Sequence, residues 1–340
     1  MKNVVLIQMA KITDFMEELR KKLVEGKGVA ESSAKAYMRV MMTLNEKQPF
    51  TTLAFLRKKD TIMEKVNAYA PSTQKTVLAS IVSVLSTVSD KPTYKGIYKF
   101  YYDAMMGKTK AEAETKPNAK TAKQKEIWMS WKEVGDIMEQ YTKRMLEYAP
   151  KKNLIPAEYD HLLQTLILSL YVYTQPRRNQ DYLNMEVVKK WNEKMETNRN
   201  YIVLSTGKFV FNKYKTAKKY GKQEIDIPEK LMEIIEIYLK HHPMAKALKG
   251  KGDVAIPFLV LADGTPITAV NAITRFLNKI FGKKIGSSAL RHIFLTDKYG
   301  DVLEEQKEDS AAMGHSLNQQ RDYIRNEESQ TVNIPTILTG

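Results

Sequence analysis

Residues 201–228 read YIVLSTGKFVFNKYKTAKKYGKQEIDIP, and here the chain stops reading as helix. Val, Ile, Phe and Tyr alternate or cluster in three short segments, YIVLST, GKFVFNKYKT and QEIDIP, separated by turn residues. That pattern predicts a small antiparallel β-sheet of about three strands. The connection between the second and third segments, residues 212–224, carries five lysines. Its plain reading is a solvated loop, long and mobile enough for a lysine to reach a bound phosphate.

Outward from this sheet the period is helical on both sides. EYDHLLQTLILSLYVYT (158–174) is apolar almost all round and reads as a buried central helix. Ser130 and Glu133 form a capping box that opens a helix running to about Tyr148. Downstream, PEKLMEIIEIYLKHH, TAVNAITRFLNKIFG and Ser287 to Tyr299 read as helices, the last with Gly300 as its stop. Residues 8–106 read as all helix. Met9, Ile12, Phe15, Met16, Leu19 and Leu23 form one apolar stripe, and residues 32–44 and 72–88 form two more, each opened by a serine cap. Met38, Met41 and Met42 belong to such a stripe and read as core. Residues 94–106 are aromatic and close this helical part.

The fold expected is therefore mainly α with a small antiparallel β-sheet, a helical domain (1–106) preceding a mixed α/β domain (126–326). Residues 107–125, dense in Lys, Ala and Thr, read as a basic linker, and 327–340 as a tail. At 340 residues there is chain enough for two cores. A hydrophobic content of 43% argues for folded structure, and no apolar run approaches the length that crosses a membrane. The first residues, MKNVVLIQMAKITDF, lack a small-residue cleavage site, so no signal peptide is expected.

The absence of cysteine removes disulfides, thiolate zinc sites and thiol nucleophiles, and fits an intracellular protein. A formal charge of +15 points to a polyanionic partner, nucleic acid before anionic membrane. No carboxylate cluster has the spacing of a two-metal nuclease, and His241 and His242 are neighbours aimed at different helix faces, so no metal is expected.

Four segments carry groups suited to phosphate chemistry. In TQPRRNQDY (174–182) Pro176 ends the buried helix, and Arg177, Arg178 and Asp181 follow. The spacing suggests one arginine held by the carboxylate and presented to an anion; a surface salt bridge is the plainer alternative. In SSALRHIF (287–294) Leu290, Ile293 and Phe294 form a buried stripe that turns Arg291 outward in a first helical turn, where unpaired N–H groups also favour an anion. His292 reads as a structural histidine. In MGHSLNQQRDYI (313–324) Ser316 and Gln319 form a capping box, which places His315 just before a helix and Tyr323 about two turns into it.

Arginine, hairpin lysine, LRH, MGHS and a final tyrosine stand in the order seen in the tyrosine recombinases, the phage integrase family. The resemblance is firmest over ALRHIFLT, MGHS and Tyr323 and extends over most of residues 126–326. The wording PRRNQDY and LRHIFLTDKYG is most similar to integrases of virophage and Polinton-like viral mobile elements.

The resemblance implies a helical core-binding domain, a linker and a catalytic domain that together clamp double-stranded DNA, assembled on it as a homo-tetramer. It implies a 3′-phosphotyrosyl intermediate formed without metal, ATP or other cofactor. Tyr323 would be the nucleophile. Arg178 (with Arg177 as alternative) and Arg291 would bind the nonbridging oxygens, and His315, 24 residues after Arg291, would assist them. Lys215, at the end of the second strand, would be the general acid, with Lys218 as alternative.

The family's usual histidine three residues before the second arginine is replaced by Ser288, which can donate a hydrogen bond to a phosphate oxygen but cannot act as a base. The tail would dock on a neighbouring subunit, and the site of action would be a host nucleus or cytoplasmic viral factory. A type IB topoisomerase-like nicking and resealing activity, or an inactive DNA-binding protein on the same fold, are the alternative functions.

Overall fold

The computed structural model describes residues 13–115, 120–192, 195–250 and 254–324. The expectations for residues 1–12 and for the tail 327–340 lie outside them. The chain divides into two compact units, Met1–Ala119 and Lys120–Gly340.

The first unit is helical throughout its described part: α1 (Asp14–Lys21, running into a π turn at Lys22–Gly26), α2 (Glu31–Leu44), α3 (Lys59–Asn67), α4 (Pro71–Leu85) and α5 (Pro92–Thr115). Met16, Leu19, Met38, Met41, Leu78, Ile81 and Tyr101 share its core, with Met42 packed at the edge. The buried Tyr101 hydroxyl donates to the Leu56 carbonyl at 2.8 Å, which satisfies its one polar atom. The expected serine caps are not used. Ala30 and Ala70 occupy the cap positions of α2 and α4, and Pro71, whose ring presets the helical φ, opens α4.

The stretch 107–125, expected as a linker, is largely helical. α5 continues to Thr115, and α6 (Ala122–Ile127) opens the second unit behind a Thr121–Gln124 capping box. Lysine, alanine and glutamate are strong helix formers, so a polar composition did not mean irregular backbone.

In the second unit α7 (Trp131–Tyr148) starts on the expected Ser130–Glu133 box, and α8 (Pro156–Val172) is buried along nearly its whole length. The one-turn α9 (Asn179–Tyr182) leads to β1 (Glu186–Val188), β2 (Asn200–Val203), β3 (Lys208–Phe211), the one-turn α10 (Ala217–Tyr220) and β4 (Gln223–Asp226). Then follow α11 (Glu229–His241), β5 (Ile256–Pro257), α12 (Val270–Phe281), α13 (Ser287–Ala312) and α14 (Leu317–Tyr323). The core gathers Leu162, Leu166, Leu170 and Tyr171 of α8 with Leu231 and Ile235 of α11, Ile273 and Leu277 of α12, and Phe209 of the sheet.

The sheet has five strands in the order β4-β3-β2-β1-β5. β2, β3 and β4 are the expected antiparallel strands, but β1 pairs parallel to β2, which makes the sheet mixed. β3 ends earlier than expected, at Phe211, because the Asn200 side-chain oxygen takes the backbone N–H groups of Asn212 and Lys213 at 2.9 and 2.8 Å. Lys215 therefore lies in the turn after β3 and Lys218 on α10, both exposed.

One boundary differs with larger consequences. The helix expected to stop at Gly300 runs on to Ala312 as one 26-residue helix, α13. Glycine alone costs a helix about 1 kcal/mol, and DVLEEQKEDSAA beyond it holds no proline and many helix formers.

Candidate active site

Beyond α8 the chain is stopped by Pro176 and held by buried polar contacts. The Asn179 side chain accepts from the Tyr171 hydroxyl at 2.7 Å and donates to Thr274 Oγ1 at 2.9 Å, so it ties α9 to both α8 and α12. The Asn200 side chain donates to the Asp181 carbonyl at 2.7 Å and the Lys213 carbonyl at 2.9 Å, joining α9 to the exit of β3. Neither asparagine was singled out from the sequence. The available signal was Asn200 heading a β segment, where asparagine is disfavoured unless its side chain is engaged.

On this support the two adjacent arginines take different roles. Arg177 Nε donates to Asp181 Oδ2 at 3.0 Å and Nη1 to Gln223 Oε1 at 3.0 Å, while its guanidinium lies 3.8 Å from the Phe211 ring centre. It is an anchor between α9 and the β3–β4 hairpin. No hydrogen bond or ion pair holds the Arg178 guanidinium among the described residues, although its neighbour's carboxylate is close. The carboxylate three places after Arg178 thus pairs with Arg177, four places before it.

Arg291, expected in a first helical turn, is the fifth residue of α13 and opens its second turn. Leu290 and Ile293 are buried on either side of it, and Phe294 packs edge-on to Trp131 at 5.1 Å. Arg291 Nε donates to the Ser287 carbonyl at 3.2 Å, which leaves its two terminal nitrogens for another acceptor. Burial, then the nearby charge of Arg178, pulls its guanidinium below the ordinary arginine value. Arginine stays charged under such a shift, so the effect records two like charges held close in a partly desolvated place.

Arg177, Arg178, Asp181, Tyr214, Thr216, Tyr220, Gln223 and Arg291 line one open pocket of about 240 Å³. Three guanidiniums against one carboxylate leave it positive. Asp181 is buried, its Oδ1 has no partner among the described residues, and burial raises its pKa against the opposing pull of Arg177. The arrangement suits a phosphate: a planar fork of N–H donors from each free arginine and hydroxyls at the rim. A larger pocket, about 350 Å³, lies beside α12 around Leu261, Ile267 and Phe276, away from these groups.

The other expected residues are elsewhere. Ser288, in the first turn of α13, is exposed and is not among the residues lining the pocket, nor are Lys215 and Lys218. His292, expected as a satisfied structural histidine, is exposed.

His315 and Tyr323 do come together. α13 closes in a paired turn in which the His315 N–H bonds the Ser310 carbonyl at 3.0 Å and the Gly314 N–H bonds the Ala311 carbonyl at 3.2 Å. Gly314 sits at φ 71°, the left-handed position that glycine takes without strain. Ser316 then caps α14 with Gln319, as the sequence indicated. The His315 and Tyr323 rings lie 5.5 Å apart, Tyr323 is 71% exposed, and His315 Nδ1 is buried without a partner among the described residues.

This pair is not in the arginine pocket. Arg291 and Ala312 lie on the same unbroken helix, roughly six turns apart, or about 30 Å along its axis. Neither His315 nor Tyr323 is among the residues lining that pocket. The candidate site is thus two half-sites at the two ends of α13.

Among the described residues no three His, Asp or Glu side chains gather as metal ligands do. His241 and His242 contact different carbonyls, those of Ala149 and Pro257. No described helix is long and apolar enough to cross a membrane. Neither the protein-family models nor the curated proteins include a match to this chain.

Proposed function

We propose that the protein is a tyrosine recombinase, an integrase that cuts and rejoins double-stranded DNA through a 3′-phosphotyrosyl intermediate. The observation that supports this most is the convergence of Arg178 and Arg291 on one positive pocket, with Arg177 occupied by Asp181. The motif order of the sequence supplies the rest: Gly314-His315 and Tyr323 follow Arg291.

In the chemistry proposed, a phosphodiester binds with its nonbridging oxygens on the two arginines. The Tyr323 oxygen attacks phosphorus and the P–O5′ bond breaks. The phenol proton passes to the His315 imidazole, the ring beside it, and the departing 5′-oxygen takes a proton from Lys215. The products are a 3′-phosphotyrosyl enzyme and a free 5′-hydroxyl. The phosphoester bond is conserved, so a different 5′-hydroxyl can reverse the step and join strands without ATP. Loss of either free arginine would cost on the order of 10² to 10³ in rate. Exchange between duplexes would take place in a tetramer on DNA.

The distance between Tyr323 and the arginines favours a second reading, a DNA-binding protein that does not cut. The test is wild-type protein and Tyr323→Phe with nicked duplexes of randomised sequence, which trap a covalent adduct by losing the short 5′-hydroxyl strand. A denaturing gel showing an adduct with wild type alone supports strand cleavage by Tyr323. Tight binding of the same pool without an adduct moves the protein to the second reading.

A further inference from the structure

We propose that the protein binds a small organic carboxylate in a pocket at the first turn of α8, on His161, Arg144 and the Ala157 N–H. The proposal does not depend on strand cutting. This pocket lies at the start of α8, whereas the arginine pocket follows its end, and no residue lines both.

The pocket, about 280 Å³, opens where α7 ends and α8 begins. His161, only 9% exposed, lines it. Its ring stacks on Tyr141 with centres 4.7 Å apart, and Tyr148 packs edge-on to it at 5.8 Å. With the buried Tyr148 hydroxyl donating to Nδ1 at 2.6 Å, the ring proton sits on Nε2. Burial, then the charge of Arg144, holds the imidazole below the ordinary histidine value, so at neutral pH it is uncharged. The ring's hydrogen-bond contacts among the described residues are all at Nδ1. Nε2–H is therefore a donor set deep in the wall of a cavity, and it calls for an acceptor.

The helix start supplies a second donor. Pro156 has no N–H, and those of Glu158 and Tyr159 turn back to the Ile155 carbonyl at 3.0 Å. The Ala157 N–H has no partner among the described residues, and Ala157 lines the pocket. An unpaired N–H at the start of a 17-residue helix favours an anion.

The charges at the rim set the kind of anion. Glu158 is occupied: one oxygen meets Lys151 Nζ at 2.5 Å, and the other takes the Ile155 N–H at 3.2 Å. Arg144 makes no ion pair among the described residues, and its charge bears on the His161 ring ahead of that of Glu147. The positive end is thus at the ring. Glu147, also on the rim, opposes a doubly charged phosphate but tolerates a single charge paired to Arg144. Ile155, 60% exposed, gives the pocket an apolar lip. A monocarboxylate with an apolar body fits these terms.

The test uses the whole chain with 13C-labelled histidine, titrated with benzoate and followed by NMR at the His161 ring, assigned by its loss in His161→Gln. The expected result is a saturable shift with a Kd of about 1 mM, the scale of a fragment-sized ligand in an open pocket. Arg144→Ala, a change at an exposed position of α7, should weaken binding about ten-fold through loss of a charge-assisted contact. Benzamide, which keeps the ring and lacks the charge, should not shift the resonance. No saturable shift with benzoate overturns the proposal, as does Arg144→Ala binding like wild type. An equal response to benzamide, or tighter binding of inorganic phosphate than of benzoate, overturns the carboxylate assignment.

Discussion

Arg177 and Asp181 form an ion pair of 3.0 Å across one turn of chain, and that pair is what leaves Arg178 available. The Asp181 side chain is 3% exposed and that of Arg177 16%, so the pair is largely desolvated. Removing one partner strands the other. Arg177→Ala is expected to destabilise the second unit by about 3 kcal/mol, the low end for breaking a buried pair. Arg178→Ala is expected to change stability by no more than about 0.5 kcal/mol. Its effect falls on binding: weaker affinity for duplex DNA and a salt slope shallower by about one. Urea denaturation and a salt titration of DNA binding separate the two variants. If both behave alike, the division of roles is wrong.

Asp181 also gives the unit a pH signature. Burial raises its pKa in the folded state above the ordinary 3.8, more than Arg177 lowers it. Between 3.8 and that raised value the folded state binds more protons than the unfolded state, so stability falls as pH rises through this window. Below 3.8 the contribution is complete, and above the folded value it is gone. Asp181→Asn cannot titrate and lacks the slope. The stability difference between wild type and Asp181→Asn should therefore move against wild type as pH rises from 3.8. Denaturation midpoints across that range check the sign.

What the sequence disclosed followed how local each feature is. The Ser130–Glu133 and Ser316–Gln319 boxes were legible because a cap is decided within four residues. β1 and β5, of three and two residues, were not, because they exist only through partners distant in the chain. The arginine pair was legible as a pair but not in its assignment. Carboxylates three and four residues away are equally placed by spacing, and the Gln223 and Phe211 contacts that favour Arg177 come from the hairpin. Gly300 misled because a glycine ends a helix only when the next residues turn. That single boundary decides whether His315 and Tyr323 follow soon after Arg291 or beyond the far end of a 26-residue helix.

Gly314 is the glycine that does turn. At φ 71° a Cβ meets no neighbour within 4 Å, so the cost of Gly314→Ala is backbone strain alone, about 1 kcal/mol. Global stability should move little, since α14 packs against the end of α13. The effect should be local: amide hydrogens of 315–320 should exchange roughly five-fold faster. Under the strand-cutting reading, adduct formation slows with DNA affinity unchanged, because the pocket is untouched. Exchange measured by mass spectrometry alongside DNA binding tests both halves of this expectation.

The leaving group gives a way to find the acid. Lys215 and Lys218 are both exposed on the β3–β4 connection, and neither lines the pocket, so static geometry does not rank them. Chemistry does. A 5′-alkoxide must be protonated as it departs, whereas a 5′-thiolate, from an acid of pKa about 8.5, leaves without help. If Lys215 is the acid, Lys215→Ala should lose on the order of 10² to 10⁴ in cleavage rate on an ordinary duplex. With sulfur in place of the bridging 5′-oxygen, the same variant should cleave at close to the wild-type rate. Lys218→Ala should behave as wild type on both. Rescue of Lys218→Ala instead moves the role three residues along the connection, onto α10. A loss that sulfur does not rescue in either variant means the lysines bind phosphate, and the proton comes from another group.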